Sequence, residues 1–243
     1  MNGNPLIRYT LWQFRDFALQ RGIAIVVIGV LYGYAPLAPL RHMSGAGFPS
    51  GSQFQIAALS IQVSSSVVFI AVLIALHGIV STDRKTGYYR FLFAQPVSPV
   101  VYYTQTFFVY MVGLVATMLL FAVLLHTIVP DFRIGHFLLY AALIYVAMGG
   151  IGFFLSVTTR YDWVILIAVW LGARILRGLY GASGGWRSKL VELLPPVHRV
   201  DDVAGSLIGS GITQTKDVLW LVGYGALFFV VGLALLRQKQ IAE

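Results

Sequence analysis

The sequence predicts an all-α membrane protein with six transmembrane helices. Hydrophobic residues make up 58% of its 243 residues and charged residues only 11%, so a water-soluble fold would have too little polar surface to cover itself. Each of six apolar runs is close to, or longer than, the roughly 20 residues that a helix needs to cross a bilayer. Because these runs are continuous rather than alternating, they favour helices over a β-barrel.

Polar, glycine or proline residues separate the six runs along the chain. The runs cover residues 22–40, 54–80, 100–129, 137–157, 163–180 and 218–236. We therefore predict an N-terminal segment, residues 1–21, followed by a six-helix transmembrane domain, residues 22–243. Charged residues interrupt the N-terminal segment, and no small-residue cleavage site follows the first run. The segment is therefore not predicted to be a cleavable signal peptide.

The N-terminal segment is predicted to be an amphipathic helix that lies in the membrane interface. Four apolar residues fall close to one helical face: Leu6, Tyr9, Phe14 and Phe17. Arg8 and Arg15, seven residues apart, fall on another face. The alternative is a simple extension of the first span, with arginines whose side chains reach the headgroups.

Lysine and arginine residues predict the orientation, because cytoplasmic loops carry an excess of them. The first two outer loops hold only Arg41 and Arg133. Loop 181–216, which is also outer, is basic and reduces the difference in positive charge between the two sides. The distribution favours an orientation with both termini in the cytoplasm. We predict a multi-pass protein of the plasma membrane, and specifically of a prokaryotic inner membrane. Its basic loops face anionic lipid rather than nucleic acid. The basic residues on the cytoplasmic side are then Arg8, Arg15, Arg21, Arg84, Lys85, Arg90, Arg160, Arg237 and Lys239.

A short basic and aromatic segment, residues 83–98, connects the second and third spans. Ser81, Thr82 and Asp83 are candidate helix caps, and Pro96 and Pro99 end any helix that begins there. The loop between residues 81 and 99 is therefore predicted to hold a short helix at the membrane surface. By composition alone, such a loop is also typical of an ordinary lipid anchor.

The order of residues in this loop resembles a family pattern. Asp83-Arg84 is followed by Gly87, by the apolar turn Phe91-Leu92-Phe93, and by Pro96-Val97-Ser98 directly before the next span. This resembles the loop between spans two and three of type-2 ATP-binding-cassette (ABC) exporter permeases. Asp83 stands where glutamate is commoner in that family, and Tyr88 where threonine is usual. Six spans, an N-terminal helix and a short basic tail are similar to the family's layout.

The resemblance implies a half-transporter, in which two permease subunits, identical or different, work with two separate ATP-binding subunits. ATP and Mg²⁺ would be bound by the partner subunit, because the chain has no G-x-x-x-x-G-K-[ST] phosphate loop. No catalytic residue and no cofactor of its own are expected. The alternatives are a non-transporting membrane scaffold or assembly factor, or a secondary transporter. In the family this loop is the coupling helix, which implies an ATPase-subunit contact made by Asp83, Arg84, Lys85, Gly87, Tyr88, Arg90, Phe91 and Pro96.

Polar residues in two spans are candidates for the translocation pathway. Gln55, Gln62 and Ser66 form a stripe on span two, which alternatively serves hydrogen bonding between helices. Arg174 and Arg177 share one face of span five, and Arg174 lies about 17 Å along the helix from the start of the span. We expect no carboxylate partner for Arg174 within the spans. Its partner would then be lipid phosphate, a backbone carbonyl, water or an anionic substrate.

Other chemistries have little support in the sequence. The chain has no cysteine, and its five histidines are scattered, so no metal site is predicted. No Gly-x-Ser-x-Gly nucleophile elbow and no set of intramembrane carboxylates is present, which argues against hydrolytic or proton-coupled chemistry. Gly29 and Gly33 give span one a small-residue face, for packing either within the chain or against a second copy.

Overall fold

The computed structural model describes residues 5–37, 50–87, 98–129, 132–159, 161–181, 197–208 and 215–241, together with positions 186, 189, 192, 194 and 195. These residues form helices and turns, with no β-strand among them. Six of the described helices are long and apolar enough to cross a membrane, which confirms the predicted fold class. They are Arg8–Tyr34, Ala58–Lys85, Pro99–His126, Ile134–Thr158, Asp162–Tyr180 and Thr215–Gln238.

The first span has no break at the predicted boundary between residues 21 and 22. α1 (Pro5–Phe17) and α2 (Ile23–Ile28) are joined and followed by π-helical turns, Ala18–Gly22 and Gly29–Tyr34. A π-turn adds one residue to the helical repeat, and this addition keeps the buried positions on one stripe. Tyr9 and Phe14 of the predicted apolar face are exposed. The buried stripe is Gln13, Phe17, Gly22, Ile25, Gly29 and Gly33.

The other helices follow the predicted runs closely, except in the second span. That run was predicted as one segment, residues 54–80, but the helix ends at Leu76 and a turn separates it from a five-residue helix. The remaining helices are α3 (Ser50–Leu76), α4 (Ser81–Lys85), α5 (Pro99–His126), α6 (Ile134–Thr158), α7 (Asp162–Tyr180), α8 (Val197–Leu207) and α9 (Thr215–Ile241).

The chain divides into two compact units. Unit 1 comprises Met1–Ala75, Phe108–Ile144 and Ala204–Thr213. Unit 2 comprises Leu76–Phe107, Tyr145–Val203 and Gln214–Glu243. Helices α3, α5, α6 and α8 contribute residues to both units, because a division falls inside each of these four helices.

Glycines in unit 1 allow the first span to pack closely on α5 and α3. A Cβ atom at Gly33 would overlap the Phe121 ring and lie 2.9 Å from Cγ2 of Val67. Gly113 likewise faces the ring of Phe17. Gly29 and Gly33 therefore serve packing within this chain, which was one of the two predicted uses of this small-residue face.

Polar contacts also join the helices of unit 1. The hydroxyls of Ser65 on α3 and Tyr140 on α6 are 2.8 Å apart and form a hydrogen bond. Arg21 donates a hydrogen bond to the carbonyl of Ala75, and its guanidinium lies 4.4 Å from the centre of the Tyr110 ring. Because Ala75 lies in the last turn of α3, its carbonyl lacks a partner within the helix, and a cation is favourable there.

Aromatic rings and two glycines form the centre of unit 2. The ring of Phe229 on α9 lies 4.5 Å from that of Phe107 and 4.9 Å from that of Phe153. The hydroxyl of Tyr145 donates to the Phe107 carbonyl over 2.8 Å. α6 and α9 cross backbone against backbone, because a Cβ at Gly150 would overlap the carbonyl of Gly225.

The six long helices differ strongly in how much of their surface the chain itself covers. About 72% of the most apolar stretch of α6 is buried, against 28% for the first span and 17% each for α7 and α9. Many of the exposed positions of the first span and α7 hold large apolar residues, such as Leu31 and Leu179. These faces require lipid or another apolar partner.

Candidate functional site

The predicted coupling loop begins in unit 2 with a turn and the short helix α4. Two glycines with left-handed backbone conformations flank this helix: Gly78, with φ of 70°, and Gly87, with φ of 74°. Gly87 follows the C-cap residue Thr86, where a left-handed glycine commonly ends a helix. The glycine of the family-like pattern thus has a local structural reason, because other residues are strained in this conformation.

Ser156 of α6 supplies the acceptor for the first backbone amides of α4. Its hydroxyl oxygen accepts hydrogen bonds from the N–H groups of Val80 and Ser81, each over 3.0 Å, and the side chain is fully buried. The first N–H groups of a helix have no partner within it. The prediction that Ser81, Thr82 or Asp83 caps α4 is wrong, because Val80 is the N-cap and makes no side-chain cap.

Asp162, the first residue of α7, forms the second buried attachment of α4. Its Oδ2 accepts hydrogen bonds from the Ser81 hydroxyl over 3.0 Å and from the Gly78 N–H over 3.2 Å. Oδ1 accepts from the N–H of Trp163 over 3.0 Å. The side chain is only 3% exposed, and these charge-assisted hydrogen bonds offset the cost of removing a carboxylate from water.

The three charged residues of α4 each contact a different part of unit 2. Asp83 Oδ2 accepts a hydrogen bond from the Tyr103 hydroxyl of α5 over 3.1 Å. Arg84 donates to the Val157 carbonyl in the last turn of α6 over 2.8 Å, which suits a cation at a helix C-terminus. Lys85 Nζ lies 5.9 Å from the centre of the Tyr161 ring.

Arg84, Lys85 and Gly87 also keep exposed surface, so α4 is fixed on one side and accessible on the other. Four further residues of the predicted ATPase contact lie outside the described residues: Tyr88, Arg90, Phe91 and Pro96.

Ser156, Asp162 and Tyr103 are functional candidates that were not predicted from the sequence. Two weak signals were available. Asp162 stands between two aromatic residues at the start of a span, and Ser156 is a single hydroxyl near the end of an apolar run. Neither signal identifies a partner that is about 80 residues away in the chain, and such partners are set by the tertiary fold.

The predicted polar stripe of span two lies in unit 1 and does not line a described cavity. Gln62 is exposed, and the Ser66 hydroxyl donates to the carbonyl of Gln62 over 2.9 Å within the same helix. The side chain of Gln55 lies outside the described residues. A pathway role for this stripe stays a prediction.

Arg174 has a carboxylate partner outside the spans, so the expectation that its partner would be lipid phosphate, a backbone carbonyl, water or an anionic substrate is wrong. Its Nη2 lies 2.9 Å from Oδ2 of Asp201 on α8. Asp201 belongs to the connection between the fifth and sixth spans, so a partner within the spans could not include it. Arg177, three residues later, forms no ion pair within the described part of the chain.

A second ion pair in unit 2 is better shielded. Arg199 Nη1 lies 2.8 Å from Oδ1 of Asp217 at the start of α9, and the Arg199 guanidinium lies 5.0 Å from the centre of the Trp220 ring. The two charged side chains are 16% and 18% exposed, against 61% and 51% for Arg174 and Asp201.

This difference in shielding predicts different effects of mutation. Replacing Arg174 with leucine is expected to change the free energy of unfolding by no more than about 1 kcal/mol, because exposed pairs contribute little. Replacing Arg199 with leucine is expected to cost about 3 kcal/mol, since a partly buried carboxylate loses its partner. Thermal unfolding of both variants in detergent tests this difference. Equal destabilisation would contradict it.

Within the described residues, no group of three or more histidine, aspartate or glutamate side chains could hold a metal ion. No protein-family model matches the sequence, and no curated protein matches it. The helices themselves define the class of the protein. Six apolar helices of spanning length make it a multi-pass helical membrane protein.

Proposed function

We propose that this chain is the permease subunit of an ABC exporter, which forms a translocation pathway with a second permease copy and is driven by a separate ATP-binding subunit. Two features support the proposal. The first is the pattern of residues 83–98, which resembles the coupling loop of type-2 exporter permeases. The second is the way in which α4, at the start of that loop, is attached to other helices.

The attachment of α4 is the observation that carries the proposal. A helix that transmits force must move as one body with the helices that it drives, since a loose loop would absorb the displacement. The start of α4 is bonded to Ser156 of α6 and to Asp162 of α7, and its charged residues reach Tyr103 and Val157.

The same attachment separates this function from the alternatives. A basic loop that only anchored a scaffold protein to lipid would need exposed charges, which α4 has, but no buried hydrogen bonds to two other helices. A secondary transporter would need a pathway but no contact with an ATPase. The combination of a fixed inner side and an exposed basic outer side favours a helix that receives a partner protein.

In this proposal α4 and both termini face the cytoplasm, and loop 181–216 faces outward. The 27-residue helix of the first span rises about 40 Å, which exceeds the roughly 30 Å of a bilayer core. The excess places α1 partly in the inner interface, where the exposed Tyr9 and Trp12 would meet the headgroups.

The proposal also requires a second permease subunit, because one half-transporter does not enclose a pathway. The first span and α7 are poorly covered by their own chain and expose large apolar side chains. These faces suit a second copy as well as lipid.

Affinity purification of the tagged chain from its native membranes, in mild detergent, tests the proposal. An ATP-hydrolysing subunit is expected to co-purify with the wild type. It is expected to be lost from the double variant Arg84→Glu and Lys85→Glu, because the exposed basic surface of α4 reverses its charge.

The matched control is the double variant Arg133→Glu and Lys216→Glu, which makes the same change in net charge on segments predicted to face outward. This control is expected to retain the ATPase subunit. Co-purification that is equal in both double variants, or absent from the wild type, would contradict the proposal.

A further inference from the structure

Asp162 is the only buried charged side chain within the described part of the chain. No cation lies against its carboxylate there. Its hydrogen-bond partners are the N–H groups of Gly78 and Trp163 and the hydroxyl of Ser81. Among the described residues outside its own helix, this carboxylate therefore accepts hydrogen bonds only from the segment formed by the turn before α4 and the first residue of α4.

The groups that Asp162 holds are those that fix the direction of α4. Gly78 forms the left-handed bend after α3, and Ser81 is the first residue of α4 and is 2% exposed. Without the carboxylate, the amide of Gly78 and the hydroxyl of Ser81 would be left in a buried environment without their acceptor. The chain would then move to rehydrate them, because unsatisfied buried polar groups are costly.

We propose that Asp162 is a positioning residue, which sets the direction of α4 against the start of α7 and thereby presents α4 to its partner. The presentation to an ATP-binding subunit rests on the proposed function. The setting of α4 does not, since it follows from the hydrogen bonds alone. A displacement of α4 would reach α3 and α5 along the chain. Through the hydrogen bonds of Asp162 it would also reach α7 directly.

Cysteine cross-linking measures the position of α4 independently of any partner. The chain has no cysteine, so the pair Lys85→Cys and Tyr161→Cys is the only reactive one. Both positions are exposed, and the Lys85 ammonium lies 5.9 Å from the Tyr161 ring. A membrane-permeant bifunctional thiol reagent, long enough to replace the two side chains that the cysteines shorten, is expected to link the pair rapidly in the otherwise wild-type full chain.

Adding Asp162→Ala is expected to lower the cross-linking rate by about tenfold or more, the fold-change that corresponds to losing one hydrogen bond to a charged group. Asp162→Asn, which keeps one oxygen acceptor in place, is expected to lower it less. Asp201→Ala removes an exposed carboxylate elsewhere in the same unit and serves as the matched control, with no change expected.

If Asp162→Ala does not accumulate in the membrane, the variant Ser81→Ala tests the same hydrogen bond. It removes only the hydroxyl donor and is expected to lower the rate in the same direction. An unchanged rate in every variant of Asp162 and Ser81 that accumulates would overturn the proposed role of Asp162.

A second measurement is co-purification of the ATP-binding subunit. It uses the variants Asp162→Ala and Ser81→Ala, each without the cysteine pair. Slower cross-linking together with reduced co-purification would support the whole inference. Slower cross-linking with full co-purification would overturn the presentation of α4 to the ATPase while leaving the proposed function intact. If even the wild type retains no ATPase, the proposed function fails, and slower cross-linking still supports the setting of α4 by Asp162.

Discussion

Replacing both Arg84 and Phe91 with alanine is expected to leave the chain in the membrane but to weaken its binding to the ATP-binding subunit by at least about 30-fold. Arginine and aromatic residues dominate the energy of protein interfaces, and a strong single contact contributes about 2 kcal/mol, which corresponds to this factor. Arg84 is exposed beside its bond to Val157, whereas the contribution of Phe91 rests on the resemblance alone.

Binding of the purified ATPase subunit to the chain in lipid nanodiscs measures this effect, together with ATP hydrolysis by the complex. The matched control replaces Arg133 and Trp186 with alanine. Both side chains are exposed and lie in segments predicted to face outward. This control is expected to bind as the wild type does. Wild-type binding and hydrolysis in the Arg84 and Phe91 variant would count against α4 as the coupling element.

Replacing Gly150 with alanine is expected to destabilise the protein by about 3 kcal/mol, at the upper end of the range for overpacked cores. The new methyl group would overlap the backbone carbonyl of Gly225, so the two helices must separate. A side-chain neighbour could rotate away, but a backbone carbonyl cannot. Separation of α6 from α9 would also loosen the rings of Phe107, Phe153 and Phe229.

Thermal unfolding in detergent, followed by intrinsic fluorescence and size-exclusion chromatography, measures this loss. Gly172→Ala on α7 is the control, because beyond its chain neighbours and the backbone of its own helix the new methyl group would meet no atom within 4 Å. Alanine has a higher helix propensity than glycine, so this control is expected to be unchanged or more stable. A similar midpoint for both variants would contradict the close crossing of α6 and α9.

The helices of this protein could be predicted from the sequence because hydropathy acts locally. A run of apolar residues with few charges identifies a span without knowledge of its neighbours, and the predicted run 163–180 agrees with α7 to within one residue. The continuous helix through residues 21 and 22 was harder to predict. The π-turns that keep Phe17 and Gly22 on one buried stripe depend on the helices that pack against them.

The contacts that fix α4 could not be predicted, because they join residues far apart in the chain. The hydrogen bond from Gly78 to Asp162 joins residues that are 84 positions apart. The same holds for the ion pair of Arg174 and Asp201 between α7 and α8, whose residues are 27 positions apart. A hydropathy pattern identifies Asp162 only as a polar residue at the start of a span. Its role follows from the Ser81 hydroxyl and the Gly78 amide, which the fold brings to it.

Subunit composition is the most direct test of the central claim, that this chain is a permease driven by a separate ATPase. Native mass spectrometry of the tagged chain, purified with lipid from its own membranes, measures it. We predict a complex of two permease subunits and two ATP-binding subunits, with nucleotide bound only to the latter. A chain that is recovered alone or only with copies of itself, and that shows no associated ATPase, would contradict the claim.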